Sequence, residues 1–166
     1  MPTDSVVHQL AIRAGNKLRD ARLMLATAES CTGGMVAAAI TDISGSSGWF
    51  ERGFVTYSNQ AKTEMIGVPA EMIDKHGAVS EPVARAMAEG ALRNSRAQVS
   101  LAITGIAGPG GGTPEKPVGM VSFGWSNRLH TNVETLVFKG DRDQIRVQAA
   151  AHALRGLLAL IDEQER

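Results

Sequence analysis

At 166 residues the chain is the length of one domain that buries most of its apolar surface. Hydrophobic residues make up 43% and aromatics 4%, so the core is expected to be built from Ala, Val, Ile, Leu and Met, which suits closely approached helices and sheet. Lys plus Arg balance Asp plus Glu at 17 each with no basic block, which argues against a nucleic-acid partner and leaves a small molecule as the expected one.

From Val6 the apolar residues Val6, Leu10, Ala14 and Leu18 recur at every fourth position, predicting an amphipathic helix capped by Asp4 or Ser5 and ending near Arg22. Charges interrupt every apolar run of this segment, so it reads as neither a signal peptide nor a membrane span. The single cysteine, Cys31, rules out an internal disulfide and a Cys-x-x-Cys zinc site, and a reducing, cytoplasmic compartment is expected.

Leu23 to Ala28, the small-residue cluster Glu29 to Gly34, and Met35 to Ile43 read as strand, tight turn and helix. After the turn at Ser44 to Gly48 the unit recurs, with a strand over Gly53 to Ser58 and a helix over Asn59 to Ile66. Pro82 suits the first turn of a helix capped by Ser80, with Val83, Met87 and Leu92 on its apolar face and its end near Arg93 to Arg96.

Val99 to Thr104 reads as a buried strand feeding the glycine loop that runs to Gly112. Val118 to Trp125 and Asn132 to Phe138 are strands joined as a hairpin, and Asp141 or Asp143 starts a long final helix. The expected fold is α/β, a single-domain three-layer α/β/α sandwich over residues 1–166, with a mixed sheet whose C-terminal part is antiparallel. Loops at the strand ends should carry the site.

Ser30, Cys31 and Thr32 stand just ahead of a predicted helix whose first amides lack intrahelical partners. A hydroxyl attacking a carbonyl there would find donors at Thr32, Gly33 or Gly34 for the developing oxyanion. A Thr32 cap with packing glycines and no chemistry explains the same residues. A serine needs a base, and the four histidines show no arrangement that marks one. Lys62, five residues after Tyr57, is the better candidate if burial or nearby cations lower its pKa, whereas a solvated surface lysine is the plain alternative. The loop Thr104 to Gly112 matches neither dinucleotide nor phosphate-loop fingerprints, yet can cradle a ligand through its amides or simply connect two strands. Arg142 and Arg146 oppose the dipole of the last helix, which suggests phosphate or carboxylate binding against a surface ion-pair network.

The segments Ala28-Glu-Ser-Cys-Thr-Gly-Gly34, Gly53-Phe-Val-Thr-Tyr-Ser-Asn59 with Lys62, Gly77-Ala-Val-Ser-Glu-Pro82, Thr104-Gly-Ile-Ala-Gly-Pro109, Lys116-Pro-Val-Gly119 and Gly140-Asp-Arg-Asp143 together resemble the CinA C-terminal family, over nearly the whole chain. Its members are nicotinamide-nucleotide amidohydrolases. The resemblance implies an enzyme that hydrolyses the carboxamide of nicotinamide mononucleotide to nicotinic acid mononucleotide and ammonia, in pyridine nucleotide recycling, without metal or cofactor. By position it places the family's serine on Ser30, its tyrosine on Tyr57 and its lysine on Lys62. Cys31, Thr32, Gly33, Gly34, Asn59, Thr104, Gly105, Arg142 and Arg146 are the expected substrate contacts, inferred from placement. Longer members carry an extra N-terminal domain similar to molybdopterin-binding proteins, whose activities are not transferred to these residues. Single-domain chains with exposed sheet edges often associate, so a homo-oligomer is expected. Two rivals remain at this level: a thiol hydrolase using Cys31, and a silent nucleotide-binding module in which Ser30 and Lys62 only touch ligand.

Overall fold

The computed structural model describes residues 5–164. Helix α1 (Val6–Ala21) starts where expected, with the Ser5 hydroxyl accepting the His8 amide at 3.0 Å. The alternative cap, Asp4, lies outside the described residues, as does the end of the charged tail. Strand β1 (Leu25–Glu29) leads into α2 (Met35–Thr41), and β2 (Phe50–Val55) leads through a short loop into α3 (Asn59–Ile66). Then come α4 (Ala70–His76), α5 (Glu81–Arg93), β3 (Val99–Gly105), the hairpin β4 (Met120–Ser126) and β5 (Thr131–Val137), and the long α6 (Arg142–Gln164).

The sheet order is β2-β1-β3-β4-β5, parallel from β2 to β3 and antiparallel from β3 to β5. Side chains alternate across it, as the period of two requires. Leu25 of β1 and Leu101 and Ile103 of β3 join the core beneath α1, α2 and α6, while Ala26, Ala28 and Ala102 join a second core beneath α3, α4 and α5. These are the two helical layers of the expected sandwich. Small residues allow the layers to come close: Trp125 lies against Gly156 of α6, where a Cβ would sit 2.1 Å from the ring, and its indole N–H donates to the Ala153 carbonyl at 2.8 Å. None of the described helices is long and apolar enough to cross a membrane.

Two elements differ from the sequence reading. Strand β2 begins and ends three residues earlier than Gly53 to Ser58. It is a sheet edge with both faces partly in water, so Phe50-Glu-Arg52 pairs with β1 without displaying the alternation of a half-buried strand. Helix α4 was not anticipated, because Gly67 and Pro69 mark a break; Pro69 instead serves as the N-cap of a two-turn helix held by burial of Ile73.

Candidate active site

Ser30 follows the last residue of β1, at the carboxyl edge of the parallel strands. Its amide continues the sheet by donating to Ile103 O at 2.9 Å, and the chain then turns at once, with Gly33 N donating to Ser30 O at 3.0 Å. Gly33 and Gly34 take φ of 59° and 102°, a left-handed run that glycine accepts without steric cost. Arg146 of α6 reaches across to clasp the outside of this turn, its Nε 3.0 Å from Cys31 O and a terminal nitrogen 3.2 Å from Thr32 O.

Of the amides of Thr32, Gly33 and Gly34 expected to face a substrate, that of Gly33 is spent within the turn, and those that open α2 are spent as well. The Glu29 carboxylate lies over the start of α2, accepting from Val36 N at 3.0 Å and Ala37 N at 3.1 Å, and from the Thr32 hydroxyl at 2.7 Å. Met35 N donates to Thr32 O. Among the described residues no backbone carbonyl takes the amides of Thr32 and Gly34, while the Cys31 amide lies against its own thiol, which leaves the turn rather than the helix as the source of donors.

Lys62 arrives from α3, whose start is set by the Ser58 hydroxyl accepting the Ala61 amide at 3.0 Å. Lys62 and Ile66 lie four apart on the inward stripe of that helix, and Lys62 is 1% exposed. Its Nζ lies 3.2 Å from Ser30 Oγ, 3.2 Å from Thr56 O and 3.5 Å from Tyr57 O. Ser30 Oγ in turn lies 3.4 Å from Tyr57 O. Among the described residues no acidic side chain pairs with this amine, and burial pushes its pKa below the ordinary lysine value by disfavouring the charged form. Of the two causes expected, burial and nearby cations, burial is the one that acts in that direction; the guanidinium groups of Arg142 and Arg146 are bonded elsewhere.

A cavity of about 300 Å³ opens over the pair. Ser30, Lys62, Cys31, Tyr57, Asn59, Thr104, Gly105 and Arg142 all border it, so most of the sequence-predicted site converges there. Thr32, Gly33, Gly34 and Arg146 do not; they build the turn behind Ser30 instead. The Tyr57 side chain is 62% exposed, its hydroxyl accepting from Arg142 at 3.3 Å, and only its backbone carbonyl touches the Ser30–Lys62 pair. Arg142 also donates to Gly108 O at 2.7 Å, tying the glycine loop to the cavity wall. Ala78 and Val79 and the loop from Ile106 to Gly111 complete the lining. The sequence reading offered the glycine loop as a candidate ligand cradle but gave Ala78 and Val79 no site role, since apolar side chains carry no chemical signature. Glu29 was also passed over as a site residue, though a carboxylate directly before a glycine turn and a helix is a capping signal.

Cys31 shares the cavity but is buried, and desolvation lifts its thiol to about 11. A thiol in that state is a poor nucleophile near neutral pH.

The sequence model of the CinA C-terminal domain family matches residues 7–161. The chain is 54% identical over 156 residues to the nicotinamide-nucleotide amidohydrolase PncC of Escherichia coli K12, an alignment covering 93% of this chain and 94% of that protein. It is 56% identical over 137 residues to a CinA-like protein of Akkermansia muciniphila, with 82% of this chain aligned. The chain spans 33% to 38% of the length of that protein and other longer relatives. The crystal structure of the competence/damage inducible protein CihA from Agrobacterium tumefaciens superposes with a TM-score of 0.93 at 44% identity, over 96% of this chain and 98% of that one.

Proposed function

The chain belongs to the CinA C-terminal domain family, and on that premise we propose that it deamidates nicotinamide mononucleotide through an acyl-enzyme on Ser30, with Lys62 as the base. The observation that carries the chemistry is the buried Lys62 Nζ at 3.2 Å from Ser30 Oγ, with no carboxylate among the described residues to hold it charged. The PncC proteins, aligned over almost their full length, supply the substrate.

A neutral amine has two N–H bonds and one lone pair. Here two backbone carbonyls, Thr56 O and Tyr57 O, take the two N–H groups, which turns the lone pair to the serine hydroxyl. Lys62 removes the Ser30 proton as Oγ bonds to the carboxamide carbon, and the carbonyl oxygen becomes an oxyanion facing the turn that follows Ser30. The proton passes from Lys62 to the departing nitrogen, the C–N bond breaks and ammonia leaves, while the Tyr57 phenol stays bonded to Arg142 at the cavity mouth. Water then attacks the ester and gives its proton to Lys62. The bond to Oγ breaks, Ser30 recovers its proton, and the acid is released.

Arg142 faces the cavity and is the cation we assign to the 5′-phosphate; Arg146, facing the turn, is not. Phosphate binding away from the reacting carbon positions the ring, so free nicotinamide should be a poor substrate. Ammonia release measured across nicotinamide, its riboside and its mononucleotide tests the reading, which fails if the mononucleotide yields none. A silent binding module would hold the nucleotide without that release.

A further inference from the structure

We propose that Glu29 is a positioning residue for the Ser30–Lys62 pair, its side chain fixing the turn that carries the serine and its backbone fixing the cradle that holds the lysine. The inference rests on Ser30 being the nucleophile.

Glu29 is 1% exposed, and its carboxyl oxygens accept from three donors, the Thr32 hydroxyl and the amides of Val36 and Ala37. Burying a carboxylate is costly unless such donors surround it. The usual place for a helix cap is here occupied by Gly34, at a φ of 102° and with no side chain to offer. The cap of α2 therefore comes from outside the helix, from the residue directly before Ser30. This closes a ring from Glu29 through the turn to Val36, with Ser30 inside it. A seven-residue helix has little stability of its own, so its first turn goes where that carboxylate places it.

The backbone of the same residue reaches the other half of the pair. Glu29 O accepts Thr56 N at 2.9 Å, and Thr56 O accepts Lys62 Nζ at 3.2 Å. Serine and lysine are thus referenced to one residue, through its side chain on one side and its carbonyl on the other. A plain helix cap would be felt in stability; a residue in this place is felt in the reactivity of the serine.

The test compares wild type with Glu29→Gln in three measurements: the rate at which a fluorophosphonate labels Ser30, the kcat and KM for ammonia release, and the pH-rate profile. A glutamine oxygen can still accept from Thr32 and Val36, but its NH2 then meets the Ala37 N–H, donor against donor. Both the labelling rate and kcat should fall about 10-fold or more, as displacing reacting groups by a fraction of an ångström does. KM should stay within about twofold. The limb of the pH profile set by Lys62 should stay where it is in wild type, since Glu29 is not among the charges acting on that amine. A folded Glu29→Gln protein that labels and turns over like wild type overturns the proposal, and so does a shifted limb, which would make the role electrostatic. If Glu29→Gln does not fold, Thr32→Val decides, because it removes one bond of the ring and keeps the carboxylate and both helix amides. Labelling lowered severalfold supports the proposal, and unchanged labelling overturns it. A wild type that is never labelled at Ser30 refutes the nucleophile itself, an outcome distinct from equal labelling of wild type and variant.

Discussion

Lys62 Nζ and Ser30 Oγ lie 3.2 Å apart, and among the described residues the amine's other partners are two backbone carbonyls and no acid. A lysine that served only to hold an anion would gain nothing from being 1% exposed. The expected consequences follow from this pair outward.

Replacing Ser30 by alanine should lower turnover by about 10³-fold or more, the scale seen when a nucleophile is removed. The fold should persist, because Lys62 keeps Thr56 O and Tyr57 O as partners. Ammonia release and a thermal melt on the same preparation check both halves, and substantial residual turnover would rule out the serine route.

Lys62→Arg should be nearly inactive, since a guanidinium keeps its proton at every accessible pH and cannot act as base. In the wild type, turnover should rise with pH on a limb lying below the ordinary lysine value, because burial lowers the pKa of this amine. If Lys62 were only an anchor, the arginine variant would retain kcat and raise KM. The kinetic constants of the variant across pH separate the two roles.

The same depression should be visible in stability. Between the lowered pKa of the folded state and the ordinary value near 10.4, the unfolded chain binds one more proton at Lys62 than the folded chain does, so stability rises with pH through that window. The slope from this one group is at most about 1.4 kcal/mol per pH unit. Lys62→Met should remove it, and urea unfolding of both proteins at several alkaline pH values reads the difference. Parallel curves would show that the amine is not desolvated.

Cys31→Ala should retain turnover within about threefold and lose about 1 kcal/mol of stability from the small cavity left behind. The thiol, lifted to about 11, takes no part in attack at neutral pH. Alkylation that inactivates wild type and spares Cys31→Ala would mark steric blockage of the shared cavity, while loss of turnover in the alanine variant itself would reinstate the thiol.

Arg142→Ala and Arg146→Ala should fail differently. The first faces the cavity and should raise KM for the mononucleotide about 10-fold while leaving kcat nearly unchanged. The second clasps Cys31 O and Thr32 O and should lower kcat through a loosened turn. Steady-state constants for the two variants decide this, and matching KM effects would place both on the phosphate.

Much of the architecture was legible because its signals are local. The Ser80 hydroxyl accepts Val83 N, as a serine two residues ahead of Pro82 suggests, and α3 runs from Asn59 to Ile66 with its cap on Ser58. What escaped depends on neighbours far along the chain. The strand character of Phe50 to Arg52 comes from pairing with β1 rather than from its own alternation. Arg142 and Arg146 look alike in sequence, one turn apart on the same helix, yet α6 directs one to the cavity and the other to the back of the serine turn. Lys62 reads as a surface residue until the burial of its helix is known. The role of Glu29 follows from a turn that folds back onto its own carboxylate, which residue types alone do not disclose.

The clasp made by Arg146 also orders events in time. The carbonyls it binds belong to residues 31 and 32, whereas the guanidinium lies 115 residues later along the chain, on α6. The serine turn of a nascent chain therefore waits, incompletely held, until α6 has emerged and docked against α1 and the sheet. The turn is braced only once Arg146 has been made, and a partial product ending before Arg142 carries Ser30 and Lys62 without that brace.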